Sequence, residues 1–417
     1  MIFRERVAPV EQHAKAFLKW SVLGIVMGVL GGPIGALFHH TLHFVTHFRG
    51  EHPWLVWLLP IGGLLSVGVY YIFGMMKNRG TNQLIDAVLH EDSVSPKVVP
   101  VIFIVTAITH FFGGSAGREG AALQLGGSVG SSLGRLLKLD RDERTVLTMS
   151  GMSAVFAGLF GTPLTACVFV IEFASVGRIF TPALVPCFLS GFTAWEAAQK
   201  LGVHAETYLL TTALPINLTT AWQLAVLAVL VAILGILMCR TFHGAEHLAA
   251  RHIKNPWLRI AIGGAMVAAM TFLAGDQRFN GAGMDMALKA VAGEADWYSF
   301  AVKLLFTTVT LAAGFKGGEI VPTFCIGATF GCVVGGLLGM DPGVAAALGM
   351  VGLFCSGTNA TLASIILSIE LFGTANLYLF AFMCVVACLL AGQSSLYGSQ
   401  IAKYDNTSMK RVGPRFK

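Results

Sequence analysis

Charge is what this chain has least of. Asp, Glu, Lys and Arg together make up 12% of 417 residues, against 55% hydrophobic types, and the mean hydropathy is +0.72. No stretch has the composition of a separate soluble domain, because the longest polar segments, 76–97, 138–144, 200–217 and 276–297, are loop-sized. That leaves one integral membrane domain over residues 1–417. Also missing are a Walker motif, a dinucleotide fingerprint and any nucleophile constellation. ATP-driven pumping and covalent catalysis are thereby disfavoured, no cofactor is expected, and transport, if that is the function, is passive or ion-coupled. Basic residues are not interleaved with aromatics, so nucleic acid is not an expected partner. The net charge of +6 gathers at loop edges, where lipid headgroups account for it. Eight cysteines fall in apolar stretches without a CxxC spacing and read as inert core thiols.

What is abundant is apolar sequence and glycine. Spans near the bilayer-crossing length of about 20 residues occur at 17–39, 54–76, 222–239, 260–273 and 377–391. Between 102 and 198, and again between 300 and 372, the apolar stretches are cut by Gly, Pro, Ser and single Glu residues. These read as short or half-spanning helices, which a bilayer tolerates only where they pack in protein or line an aqueous cavity. Glycines at helical four-residue spacing, Gly24/Gly28, Gly31/Gly35 and Gly331/Gly335/Gly339, predict close helix approach. Arg4, Arg6, Lys15 and Lys19 flank the first span, and Lys403, Lys410, Arg411, Arg415 and Lys417 follow the last. Both termini are therefore expected on the cytoplasmic side, of a bacterial inner membrane. The first apolar run is too long for a secretory signal and no cleavage site follows it, so it reads as a retained helix.

The chain repeats itself. Gly114, Gly117, Glu119 and Gly127 return at one common offset as Gly314, Gly317, Glu319 and Gly327. Leu164, Ile171 and Glu172 similarly return as Leu362, Ile369 and Glu370. Two related halves, approximately 17–200 and 220–400, are a transporter signature. A helix beginning at Gly120 would run about 27 Å at 1.5 Å per residue. Glu119 would then sit at its positive end, where free N–H groups favour an anion: either this carboxylate or a competing ion. A swinging gate is one reading, and an ordinary carboxylate satisfying its own helix is the other. Glu319 has the same arrangement, with Pro322 suited to a first turn. Carboxylates at membrane depth are costly enough to be functional suspects. Glu172 and Glu370, at the ends of apolar runs, cap a turn or meet an interfacial Arg or Lys.

Over nearly its full length the chain resembles the CLC chloride channels and proton-coupled anion transporters. GGSAGREGAALQ resembles that family's GREGP segment, GFKGGEIVP occupies the place of its GxFxP segment, and SSLYGSQIA resembles the stretch with its anion-coordinating tyrosine. PLTACVFVIEF, with Pro163 in the expected place, is similar to the helix after the first half-site. The resemblance implies an all-α, multi-helix bundle with two inverted repeats, a homodimer of independent pores, Glu119 as external gate and proton acceptor, and Tyr397 as inner ligand. The family's regulatory nucleotide-binding tail is not expected here.

Departures from the chloride members narrow the reading. RGTNQLIDAV stands where those members carry GSGIP, and it looks like the GNNLI-type segment of the fluoride-transporting branch. Thr81 or Asn82 can cap the next helix and offer donors to an ion, or Asn82 is a plain helix cap with Asp86 in the first turn. Phe173 follows Glu172 where chloride/proton antiporters carry an internal proton-transfer glutamate. Glu319, again as in the fluoride branch, would serve as a central or inner carboxylate. Val321 stands where a hydroxyl is found in some fluoride members, so the resemblance does not give it a side-chain ligand role. Gly117, Arg118, Gly120, Ile320 and Val321 complete the expected anion-binding set, by position at the two helix starts. Fluoride is small and strongly hydrated, and a site that strips its water must return several short N–H and O–H hydrogen bonds.

The expectation is a proton-coupled fluoride exporter working by fluoride/proton antiport, with a chloride/proton antiporter or chloride channel of the same family as alternative. A remote rival from another class is a membrane zinc metallopeptidase, because His243, Glu246 and His247 match the HxxEH pattern. The His39, His43 and His47 series, at four-residue steps, could bind a metal or sense pH, or be a solvated helix end.

Overall fold

In the computed structural model the described residues are 2–402 apart from 91, 205, 206, 209 and 211, with backbone only for 2–10. The basic cluster from Lys403 onward lies outside them. Among the described residues there are sixteen α-helices. The first half holds α1 (Ile2–Glu51), α2 (Leu59–Ile72), α3 (Thr81–His90), α4 (Val98–Phe111), α5 (Glu119–Leu136), α6 (Arg141–Phe160), α7 (Pro163–Glu172) and α8 (Leu184–Lys200). The second holds α9 (Leu218–His252), α10 (Pro256–Ala274), α11 (Met284–Val291), α12 (Ser299–Ala313), α13 (Ile320–Leu337), α14 (Pro342–Thr358), α15 (Thr361–Phe372) and α16 (Leu377–Ala391).

Five segments among the described residues are long and apolar enough to cross a membrane: Glu11–Glu51, Pro53–Ile72, Leu218–His252, Pro256–Ala274 and Ile320–Leu337. Four match the expected spans. The expected fifth, 377–391, forms a shorter apolar helix, and Ile320–Leu337 takes its place because Pro322 falls in a first turn and interrupts nothing. Two of the loop-sized polar stretches contain short helices: α3, where a helix start at Thr81 or Asn82 was expected, and α11, which was not expected. Large apolar side chains such as Leu218, Leu273, Phe272 and Tyr71 stand exposed, as expected of a lipid-facing surface. The chain is an integral membrane protein.

The halves correspond element by element. An aspartate caps the helix after each half-site: Asp140 accepts from Glu143 N at 2.8 Å to start α6, and Asp341 from Val344 N at 2.9 Å to start α14. Both α6 and α14 end on a left-handed residue, Gly161 (φ 72°) and Asn359 (φ 55°), and a short helix follows each. The α5–α6 and α13–α14 pairs pack backbone to backbone. A Cβ on Gly126 would lie 2.1 Å from the Gly151 carbonyl oxygen, and one on Gly331 2.3 Å from that of Ala345. Of the glycine stripe at 331, 335 and 339, the first makes such a contact, a Cβ on the second would lie 2.0 Å from the Ala345 methyl group, and Gly339 turns the chain at φ 77°.

Glu172 and Glu370 cap helices, each in the other half. Glu172, ending α7, accepts from Leu362 N and Ala363 N at 3.2 and 2.9 Å, at the start of α15. Glu370, near the end of α15, accepts from Leu164 N and Thr165 N at 2.9 and 2.8 Å, at the start of α7. The alternative partner, an interfacial Arg or Lys, is not used.

Candidate anion and proton site

Two loops meet where the halves touch. Gly117 N donates to Gly318 O at 2.6 Å and Gly318 N to Gly117 O at 2.7 Å, an antiparallel bridge that brings the N-termini of α5 and α13 together. Only glycine fits this approach, since a Cβ on Gly117 would fall 2.3 Å from Glu119 Oε2 and one on Gly318 2.8 Å from Gly120 N. Gly117 therefore shapes the site. Its N–H is engaged by Gly318 O in this structure.

Glu119 is fully buried. Its Oε2 accepts from Arg118 N at 3.0 Å and from Val321 N at 3.2 Å, so one carboxylate oxygen takes free N–H groups of both converging helices. Its Oε1 is buried without a hydrogen-bond partner. The carboxylate thus sits where an anion would be most favoured. Val321 contributes its backbone and a buried apolar side chain, as an absent hydroxyl requires, and Ile320 beside it is fully buried. The Arg118 side chain turns away, its guanidinium 5.4 Å from the Phe160 ring centroid and Nη1 3.4 Å from His39 Nδ1. His39 is half-buried, and its ring stacks 6.4 Å from that of His43, which stands 6.4 Å from His47.

Behind this point lies a cavity of about 110 Å³ whose lining includes Thr81, Asn82, Gln124, Glu319 and Tyr397. A Cβ on Gly120 would stand 3.0 Å from Thr81 Oγ1 and 3.7 Å from Glu319 Oε2, so the second carboxylate sits close to the first turn of α5. Tyr397 is buried, and its hydroxyl has no partner. Gln124 Oε1 and Thr106 Oγ1, also lining the cavity, are buried and unpartnered too. Orphaned buried polar atoms are rare in folded proteins and point to a ligand or water.

Thr81 and Asn82 do not cap α3, which starts at Thr81 after Gly80 in a left-handed conformation (φ 63°). Asn82 Oδ1 accepts from Ser399 N at 3.0 Å, which anchors the segment carrying Tyr397 and leaves the amide NH2 as its donor. Asp86 pairs with Arg79. The Tyr397 segment is pinned further by Leu396 N on Gly357 O at 2.7 Å and by Gln400 Nε2 on Phe173 O and Thr358 O at 2.6 and 2.8 Å. Phe173 is fully buried, with its ring edge-on to Tyr397 at 6.1 Å.

A sequence profile described as voltage gated chloride channel matches residues 62–392. The chain belongs to this CLC family. A chloride/fluoride channel protein of Pseudomonas syringae pv. tomato is 32% identical over 389 residues, 92% of this chain and 86% of the relative. An H(+)/Cl(-) exchange transporter ClcA of Vibrio vulnificus is 25% identical over 403 residues, 88% and 84% of the two chains. Among solved structures, that of a CLC-type fluoride/proton antiporter superposes with a TM-score of 0.89 at 31% identity, covering 92% of this chain and 98% of the other. A slow cyanobacterial Cl-/H+ antiporter, at 20% identity and a TM-score of 0.74 over 89% and 93%, shares the CLC fold.

Sequence reasoning missed Lys303, which is fully buried on α12. Its Nζ donates to Ser115 Oγ, Phe279 O and Gly281 O at 2.9, 3.0 and 2.7 Å and so fastens the loop before Glu119 from behind. A lysine in an apolar helix was the available signal. The HxxEH residues were the basis of a remote zinc-site rival. Instead, His243 Nε2 lies 2.7 Å from Ser395 O, and no group of three or more potential metal ligands converges among the described residues.

Proposed function

We propose that the chain is a proton-coupled fluoride exporter, working as a fluoride/proton antiporter. The observation that carries this is a pair of carboxylates, Glu119 and Glu319, at two helix N-termini that the Gly117–Gly318 bridge brings face to face. A carboxylate in an anion site can be displaced by an anion once protonated, which couples one flux to the other. Fluoride as the anion is supported by the fluoride named for the relative and the solved structure above, and by a site rich in N–H and O–H donors. Glu119 serves as external gate and proton acceptor, and Glu319 as inner carboxylate. Thr81, Asn82, Tyr397 and the backbone N–H groups at Arg118, Gly120, Ile320 and Val321 are offered to the anion. The protein resides in a bacterial inner membrane with both termini cytoplasmic, and works as a homodimer with one path per chain.

The test is anion efflux from proteoliposomes, read with fluoride and chloride electrodes, with and without a pH gradient. Fluoride flux that exceeds chloride flux and drives protons uphill is the expected result. Chloride flux at an equal or greater rate would place the chain with the chloride exchangers. Anion flux without proton movement would make it a channel.

A further inference from the structure

An exchanger must pass its proton from the centre of the path to the inner solution, and the position used for this in chloride/proton members is Phe173, which is apolar and fully buried. The cavity behind Glu119 supplies another carboxylate. Among its lining residues the acidic ones are Glu319 and Glu246. Glu319 is half-buried next to Gly120, whereas Glu246, near the C-terminal end of α9, is exposed. Lys316, half-buried in the same cavity, lies within electrostatic reach of both carboxylates.

We propose that Glu246 is the inner proton acceptor of the transport cycle, taking from Glu319, through water in the shared cavity, the proton that Glu119 admits. This rests on the exchange reading above. The Glu319 carboxyl O–H gives its proton to a cavity water while that water chain delivers one to the Glu246 carboxylate. Glu319 is left ionised, and Glu246 then releases the proton to bulk water. A cavity of about 110 Å³ holds several waters, since one needs roughly 10–15 Å³ of probe-occupied volume. The Lys316 ammonium offsets the charge when both carboxylates are ionised. Other charged or titratable groups facing the cavity are Arg79, His243 and Tyr397. Arg79 pairs with Asp86 and His243 with the Ser395 carbonyl, which leaves Glu246 the exposed carboxylate in line with Glu319.

The experiment compares wild type with Glu246→Gln and Glu246→Asp in proteoliposomes, reading proton and fluoride fluxes together. The expected result is a proton flux at least tenfold lower in the Gln variant with a reduced proton-to-fluoride ratio, and a ratio near wild type in the Asp variant. A wild-type ratio in the Gln variant overturns the proposal, including the case in which both fluxes fall together, since that marks an effect on anion access alone. Wild type that moves no protons overturns the exchange reading itself, and this role with it.

Discussion

At the residue scale the two oxygens of Glu119 are unequal, because Oε2 has two N–H donors and Oε1 has none. Leaving a buried acceptor unmade costs about 1–3 kcal/mol, so, under the proposed gating role, this position is held by a limited margin that an anion and a proton together can overcome. Replacement by Gln keeps the shape and removes the titration. Glu119→Gln is expected to abolish coupled proton flux and slow fluoride turnover, and undiminished coupled flux in that variant would end its gating role. The Tyr397 hydroxyl has no hydrogen-bond partner among the described residues. Tyr397→Phe should therefore leave the melting temperature within a degree or two while weakening fluoride binding by about tenfold, the worth of roughly one hydrogen bond at 1.4 kcal/mol. Titration calorimetry with fluoride that gives equal affinities would remove Tyr397 from the site. Lys303 is the reverse case, as its partners are all protein. Lys303→Met strips Ser115 and two carbonyls of a donor and should lower the thermal midpoint measurably before any flux is assayed.

At the scale of elements, the helix pairs α5–α6 and α13–α14 are where the fold is least tolerant. Gly126→Ala pushes a methyl group to 2.1 Å from a carbonyl oxygen, and a cost of about 3 kcal/mol or more is expected from overpacking a backbone contact. Gly244, in α9 with nothing within 4 Å of an added Cβ, should gain about 1 kcal/mol when changed to Ala. Opposite shifts in thermal unfolding of the two variants in detergent would check both, and equal shifts would contradict the packing argument. What the sequence made legible at this scale follows the physics. Gly331 is visible because its four-residue spacing to Gly335 marks a close helix approach that only glycine permits. By contrast, the partners of Glu172 and Glu370 are backbone N–H groups in the other half, which carry no sequence signature. Glu246 was legible only as part of the HxxEH motif, and α11 was hidden because an eight-residue helix in a polar stretch looks like a loop, whereas the helix at α3 was legible from the residues at its start.

For the whole molecule, the duplicated motif was readable because both halves need the same glycines and the same carboxylate at a helix start. Their meeting at the Gly117–Gly318 bridge was not readable, since spacing in a repeat says nothing of which face one copy turns to the other. The site is shared: Glu119 from the first half takes Val321 N from the second. Expressed as separate chains, the halves 17–200 and 220–400 should yield fluoride flux only when produced together, and flux from either alone would contradict this division of the site.

The crossed caps of Glu172 and Glu370 carry a historical consequence. A half-length ancestor would have had no cap of its own for the helix after its half-site, and its anion position would have lacked one of two facing helix ends. It could have worked only as a pair of identical chains inserted in opposite directions. Such a pair has no inside or outside, because both ends of its path are alike. Joining the copies in one polypeptide would fix their opposite orientation and let them diverge, so that the two glutamates could take the different roles proposed for them above. The sidedness of the two carboxylates, on this view, is a property gained when symmetry was lost, while the ion gradients alone set the direction of net flux.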